Sequence, residues 1–303
     1  MKKMDIISTR NMSRDFIEDV LEKTKKMETI AKAKKQVDML KGKTLATLFF
    51  EPSTRTKLSF MAAMNLLGGT VVGFDDPRTS SVKKGETLAD TIRVVEGYAN
   101  AIVIRHPNEG AAALAAKFSE VPIINGGDGS NQHPTQALLD MYTILKEKGK
   151  LDGLKVTLAG DLKYGRTVHS LAYALSKFDV SFVFASPPSL RMPRWIVSDL
   201  KSSGISIKEI DSIEVKSDVL YLTRIQKERF PDIEEYQRVS SAYILDEETL
   251  KELGEETMIM HPLPRVNEIS PGVDNDRRAK YFVQSFYGVP TRMALLAMVM
   301  ADI

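Results

Sequence analysis

Cysteine is absent from all 303 residues, which excludes disulfides, thiolate metal sites and a cysteine nucleophile. Histidine is scarce: His106, His133, His169 and His261 are the full set, and their spacing matches no metal-ligand pattern. A strong charge of either sign is missing too. Forty-two basic residues stand against forty acidic ones, a net +2. That balance argues against a nucleic-acid partner, whose binding domains are usually strongly basic. The longest apolar run, Met293 to Ala301, is half a membrane span, so no membrane partner is expected. The opening MKKMDIISTRNMSR has the lysines of a signal peptide without the apolar stretch that should follow. The expectation is a soluble, cytoplasmic protein.

What is present is an ordinary globular composition, 43% hydrophobic and 27% charged, in a chain long enough for two cores. An amphipathic helix is read from about Ser13 to Lys34, with Ser13 as N-cap and Phe16, Ile17, Val20, Leu21, Met27 and Ile30 on one face. Short β-rich runs then alternate with helical patterns. The runs are Leu45–Phe50, Thr70–Phe74, Ala101–Arg105, Val121–Asn125, Lys155–Ala159, Ser181–Ala185, Val219–Thr223 and Met258–Met260. Strand–helix alternation implies parallel sheets covered on both faces. The fold class is therefore α/β: two doubly wound domains, each a parallel sheet with helices on both faces. The C-terminal helix, about Thr291 to Asp302, is apolar nearly all round and should be buried.

Ligands of such sheets bind beyond the carboxyl ends of the strands, and four of those junctions are chemically loaded. After Leu45–Phe50 comes Glu51-Pro52-Ser53-Thr54-Arg55-Thr56, where a helix N-terminus with hydroxyls and an arginine suits a phosphate. A solvated arginine beside an ordinary Ser or Thr cap is the plain alternative, but a cation in the first turn opposes the helix dipole unless an anion compensates. The run Ala101–Ile104 delivers Arg105 and His106. Further on, Pro134 suits a first helical position, which puts His133 at the cap and Gln136 in the first turn. A neutral imidazole there can donate to a carbonyl oxygen, and an amide carbonyl can accept from an NH2 group.

The fourth junction, GDLKYGRT from Gly160 to Thr167, is one residue away from a phosphate loop, with Arg166 where Lys belongs. Arg is a planar fork and no equivalent of that Lys. A nucleotide hydrolase would also need an acidic partner for Mg²⁺, and Asp246 after a three-residue run is the nearest candidate. Arg166 reads instead as a carboxylate or phosphate clamp. Downstream, Val219–Thr223 leads to Arg224-Ile225-Gln226-Lys227-Glu228-Arg229, and Met258–Met260 to His261-Pro262-Leu263-Pro264-Arg265. Two prolines in four residues remove N–H donors and leave carbonyls to accept. Arginine forks with carbonyls describe a site for an acidic amino acid, although RIQKERF alone is also a good solvated charge cluster.

Together, Ser53-Thr54-Arg55-Thr56, RHPNEG, DGSNQHPTQ, GDLKYGRTVHS, RIQKER and HPLPR resemble the aspartate/ornithine carbamoyltransferase family, from about residue 44 to the C-terminus. The last two segments are similar to the aspartate-specific catalytic chains; an ornithine enzyme should carry a cysteine in the HPLP position. The resemblance implies a carbamoyl-phosphate-binding domain over 1–133, joined by the helix 288–303, and an aspartate-binding domain over 134–287. It implies that Ser53, Thr54, Arg55, Thr56 and Arg105 bind the phosphate, and that Thr56, Arg105 and His133 polarise the carbamoyl carbonyl. Gln136 would hold the carbamoyl NH2. Arg166, Arg224 and Gln226 would take the L-aspartate carboxylates, and the carbonyls of Pro262 and Leu263 the substrate nitrogen. Ser80, on carbamoyl phosphate, and Lys84, on both the chemistry and L-aspartate, would reach into a neighbouring subunit's site, hence a homotrimer. No cofactor and no metal are implied in this chain; a separate zinc-containing regulatory chain is a possible partner, near His106–Gly110. Pro52, and extra residues between Arg229 and Tyr236, depart from the family pattern. The alternatives are a carbamoyltransferase acting on ornithine or another amino acid, a nucleotide hydrolase, and a two-domain solute binder.

Overall fold

The computed structural model describes residues 3–76, 81–213, 216–225 and 243–301. Ser80, Gln226 and the loop between Arg229 and Tyr236 lie outside the described residues. The chain divides into two compact units, residues 1–142 with 286–303, and residues 143–285.

Unit 1 opens with α1 (Arg14–Ala33), whose N-cap Ser13 accepts from the Phe16 N–H. Its sheet holds β1 (Thr44–Phe49), β2 (Thr70–Phe74), β3 (Ala101–His106) and β4 (Ile123–Asp128), parallel throughout in the order β2-β1-β3-β4. Helices α2 (Thr54–Leu66), α3 (Leu88–Val95), α4 (Ala111–Phe118) and α5 (from Pro134 to Lys148) follow the strands in turn. Strands covered on both faces read as unbroken apolar runs, and Ala46, Leu48, Ile102, Ile104 and Ile123 meet Ile92, Ala112 and Ala115 in one buried cluster.

Unit 2 holds β5 (Leu154–Ala159), β6 (Val180–Ala185), β7 (Ser206–Ile210), β8 (Val219–Leu222) and β9 (Met258–Met260), again all parallel, in the order β7-β6-β5-β8-β9. Its helices are α6 (Arg166–Leu175), α7 (Arg194–Ser202) and α8 (Glu247–Glu252). The last helix, α9 (Tyr281–Met300), starts ten residues before the sequence expectation. Gly288 and Pro290 both lie inside it. α5 and α9 run unbroken through residues 142/143 and 285/286, where the units divide. Strand β7 has no counterpart among the apolar runs: at the sheet edge, SIKEI keeps Lys208 and Glu209 among its isoleucines. Among the described residues no helix is long and apolar enough to cross a membrane.

Both strand orders contain one reversal. The chain leaves β1 toward β2, then returns to place β3 on the other side of β1; it leaves β5 toward β6 and β7, then returns to place β8 on the other side of β5. At such a reversal the connections diverge to opposite faces and leave a crevice at the strands' carboxyl ends. Phe49 lies opposite Arg105 at the first, and Ala159 opposite Leu222 at the second. The second crossing needs Gly160: its φ is +104°, and a Cβ there would stand 2.3 Å from the Thr223 carbonyl oxygen and 2.7 Å from its hydroxyl. Gly160→Ala is therefore expected to cost about 3 kcal/mol, from strain and overlap together. Thermal unfolding checks it; an unchanged melting curve would refute the close approach.

Candidate active site

In unit 1 the first crevice is formed by the β1–α2 junction. Ser53 is the N-cap of α2 in an extended conformation, φ −159°, and its hydroxyl makes no capping hydrogen bond. The first-turn N–H groups thus lack a side-chain acceptor, and no acid occupies the first turn to neutralise the positive helix end. Arg55 is exposed in that turn and forms no ion pair among the described residues. A cation left at the positive end of a dipole is the arrangement that an anion would stabilise.

Arg105, at the end of β3, is held on two sides. Its Nη2 donates to Glu51 Oε1 at 2.8 Å and its Nη1 to the Gly126 carbonyl at 3.2 Å. His133 is buried instead of idle on the surface, and its Nε2 lies 3.5 Å from the buried Thr56 Oγ1. Gln136 sits in the first turn of α5, its amide NH2 donating to Asp140 Oδ1 at 2.9 Å. The loop entering α5 is built on the buried Asp128, whose carboxylate accepts from the Gly110 and Gln132 N–H groups and from the Asn125 and Asn131 amides. Thr54 is exposed beside Arg55. Lys84 is also exposed and has no hydrogen bond or ion pair among the described residues. Ser80 lies outside them.

Unit 2 answers the phosphate-loop question. The carboxylate of Asp161, 1% exposed, accepts from the N–H groups of Lys163 and Tyr164 at 3.1 and 3.0 Å. The Asp161 N–H itself goes to Thr223 Oγ1, which donates to the Ala159 carbonyl. The amides that a phosphate loop turns toward its ligand are therefore occupied by a buried negative charge, and a phosphate there would meet repulsion. The two glycines of the motif have packing reasons: Gly160 against Thr223, and Gly165, whose Cβ would stand 2.5 Å from the Asp161 carbonyl oxygen. Asp246, weighed as a metal partner, is the N-cap of α8 and accepts from the Glu248 and Thr249 N–H groups. What remains of GDLKYGRT is Arg166 as the first residue of α6, with Arg224 two residues beyond β8, both half-buried. Gln226 lies outside the described residues.

The 261–268 loop is fixed by its own two ends. His261 Nδ1 accepts from the Leu263 N–H at 2.8 Å, so the ring proton is on Nε2, which donates to Glu268 Oε1 at 2.9 Å. The other Glu268 oxygen accepts from the Val266 and Asn267 N–H groups. Although burial pushes the Glu268 carboxyl upward, these hydrogen bonds outweigh it and hold the pKa below the ordinary glutamate value. Leu263 has φ +55°, a conformation that a branched side chain resists and that this loop enforces.

Two family models divide the chain between them. "Aspartate/ornithine carbamoyltransferase, carbamoyl-P binding domain" matches residues 4–146 and "Aspartate/ornithine carbamoyltransferase, Asp/Orn binding domain" matches 152–299. The chain belongs to the aspartate/ornithine carbamoyltransferase family. Among its relatives in that family, the aspartate carbamoyltransferase catalytic subunit of Methanococcoides burtonii is 58% identical, over 99% of this chain and 98% of its own length. That of Methanocaldococcus jannaschii is 54% identical, covering 98% of each. The solved catalytic subunit of the M. jannaschii aspartate transcarbamoylase superposes with a TM-score of 0.92 at 54% identity, covering 98% of both chains. The Trypanosoma cruzi aspartate transcarbamoylase, solved with carbamoyl phosphate and aspartate, gives 0.92 at 39% identity, over 99% of this chain and 96% of that one.

Four residues of this carbamoyltransferase, Glu51, Asp128, Asp161 and Glu268, escape a reading of the sequence. Their signal is faint: a carboxylate inside or beside each motif, indistinguishable from surface charge until its partners are placed. His261→Ala is expected to cost at least about 2 kcal/mol, because it strands the Leu263 N–H and one Glu268 oxygen. His261→Asn should lose less, since its Oδ1 can still accept from Leu263. Denaturant unfolding of the two variants checks the order; equal losses would contradict the role of Nδ1.

Proposed function

We propose that this chain transfers the carbamoyl group of carbamoyl phosphate to the α-amine of L-aspartate, releasing N-carbamoyl-L-aspartate and phosphate, a step of pyrimidine biosynthesis. The observation that carries the reading is the chemistry at the two reversal points. One presents a helix N-terminus without a side-chain cap, with Arg55 and Arg105; the other presents Arg166 after a turn whose amides Asp161 already takes, with Arg224 just beyond β8. The first suits a phosphate, the second carboxylates.

Ser53, Thr54, Arg55, Thr56 and Arg105 hold the phosphate, with Ser80 and Lys84 supplied by a neighbouring subunit. Glu51 keeps the Arg105 fork in place before the anion arrives. Thr56, Arg105 and His133 donate to the carbamoyl oxygen, and Gln136 accepts from its NH2. Arg166, Arg224 and Gln226 take the aspartate carboxylates, and the carbonyls of Pro262 and Leu263 accept from the substrate nitrogen. The amine attacks the carbamoyl carbon and the C=O pair moves onto oxygen. Donors aimed at such an oxyanion are worth about 2.7–4 kcal/mol each on removal. The oxyanion re-forms the C=O as the C–O bond to phosphate breaks, the departing phosphate takes up the proton that the amine loses, and it leaves into the α2 cradle. Atoms and electrons balance within the two substrates.

A homotrimer is supported by apolar surface on unit 1: Leu58 of α2, Val72 of the edge strand β2 and Val94 of α3 are 57%, 46% and 50% exposed. A cytoplasmic location suits a biosynthetic step on two polar metabolites.

Purified protein with carbamoyl phosphate is expected to turn over L-aspartate and not L-ornithine; turnover with ornithine alone would overturn the unit 2 assignments. Arg55→Ala is expected to lower kcat at least about a hundredfold with an unchanged melting curve, because the side chain is exposed. Near-normal turnover of that variant would refute the phosphate assignment.

A further inference from the structure

Gln136 and Asp140 lie one turn apart on α5, and the Gln136 amide nitrogen donates to Asp140 Oδ1 at 2.9 Å. An ionised carboxylate only accepts, so this bond selects one of the two ways in which the amide can lie. The NH2 is turned to Asp140, and the carbonyl oxygen is turned away from it. An unrestrained glutamine would populate both orientations, and part of its population would offer the wrong group to a ligand.

Asp140 is fully buried, and a lone buried carboxylate would rather take up a proton than stay charged. The buried cation that its charge acts on is Arg292 of α9. That guanidinium is 3% exposed, donates to the Gly288 carbonyl at 3.2 Å and to Thr135 Oγ1 at 3.4 Å, and lies 5.0 Å over the Phe60 ring. Burial pushes Arg292 down to about 9, Asp140 pulls it back up, and Arg105 presses it down further. Gly288 makes the room: a Cβ there would stand 2.4 Å from Arg292 Nη1. A glycine inside a helix, a buried arginine and a buried aspartate thus converge on one first-turn amide.

We propose that Asp140, balanced by Arg292, is a positioning residue that locks Gln136 with its carbonyl available as an acceptor, and so makes the site select a carbamoyl over an acetyl group. The proposal rests on the reading of Gln136 as the group that accepts from the carbamoyl NH2. Carbamoyl and acetyl phosphate have nearly the same shape and differ by NH2 against CH3. Shape cannot separate them, whereas an oriented, half-buried acceptor that the bound ligand covers can, because the methyl group leaves it without a partner.

The test uses the full chain and compares the KM for carbamoyl phosphate with the inhibition constant of acetyl phosphate, for wild type, Asp140→Asn and Gln136→Ala. The side-chain amide introduced by Asp140→Asn can donate as well as accept, which removes the bias on Gln136. The wild-type preference for carbamoyl phosphate is then expected to fall about tenfold. Because Asp140→Asn leaves Arg292 without its counter-charge, Asp140→Asn/Arg292→Gln is measured beside it; the preference should stay low there while the fold recovers. Parallel weakening of both ligands with an unchanged ratio would reduce Asp140 to a structural part and overturn the proposal. If Gln136→Ala loses the preference and both Asp140 variants keep it, the positioning role alone fails. If Gln136→Ala keeps it, the underlying reading of Gln136 fails as well.

Discussion

Each sheet has a central strand, β1 or β5, with the chain departing to one side of it and returning on the other. Everything chemical in this protein depends on that reversal. Parallel strands bring all their carboxyl ends to one edge, and the reversal opens the only part of the edge where successive connections diverge. At both reversals one arginine lies in the first turn of the helix that follows and another at or just past the end of the neighbouring strand: Arg55 and Arg105 in unit 1, Arg166 and Arg224 in unit 2. Neither pair is adjacent in sequence. Strand register alone brings them to one edge, with Phe49 against Arg105 and Ala159 against Leu222.

Concentrated donors need control, and a second layer of carboxylates, three buried and one half-buried, supplies it. Asp128 gathers the loop before His133, Asp161 takes the amides before Arg166, Glu268 ties the loop that carries Pro262 and Leu263, and Glu51 holds Arg105. Each removes the freedom of a group that would otherwise have to be ordered by substrate. Donors fixed in advance cost no reorganisation when charge develops, which is where such sites gain most of their rate. The same carboxylates discriminate. Asp161 occupies the amides of one loop, while the first turn of α2 holds no acid.

Elements set by local pattern were legible in the sequence: the apolar runs that became strands, Ser13 capping α1, and the polar junctions that followed the strands. Residues whose meaning depends on a distant partner were not. Gly160 looked like a phosphate-loop glycine and serves the approach of Thr223; Gly288, which no local pattern marks, makes room for Arg292. Asp246 looked like a metal partner and caps a helix. β7 hid because an edge strand keeps its charges. The motif residues were found because several loaded junctions agreed with one another, while each buried carboxylate among them was a lone acid with no local pattern to mark it.

The proposed reading gives phosphate to α2 and not to the Gly160–Thr167 turn, and on that assignment the roles of both units rest. A crystal structure with carbamoyl phosphate bound decides it directly. The phosphorus is expected at the first turn of α2, within hydrogen-bonding reach of the Ser53–Thr56 amides, Arg55 and Arg105. Phosphorus against the amides of Lys163 and Tyr164, with Asp161 displaced, would contradict it.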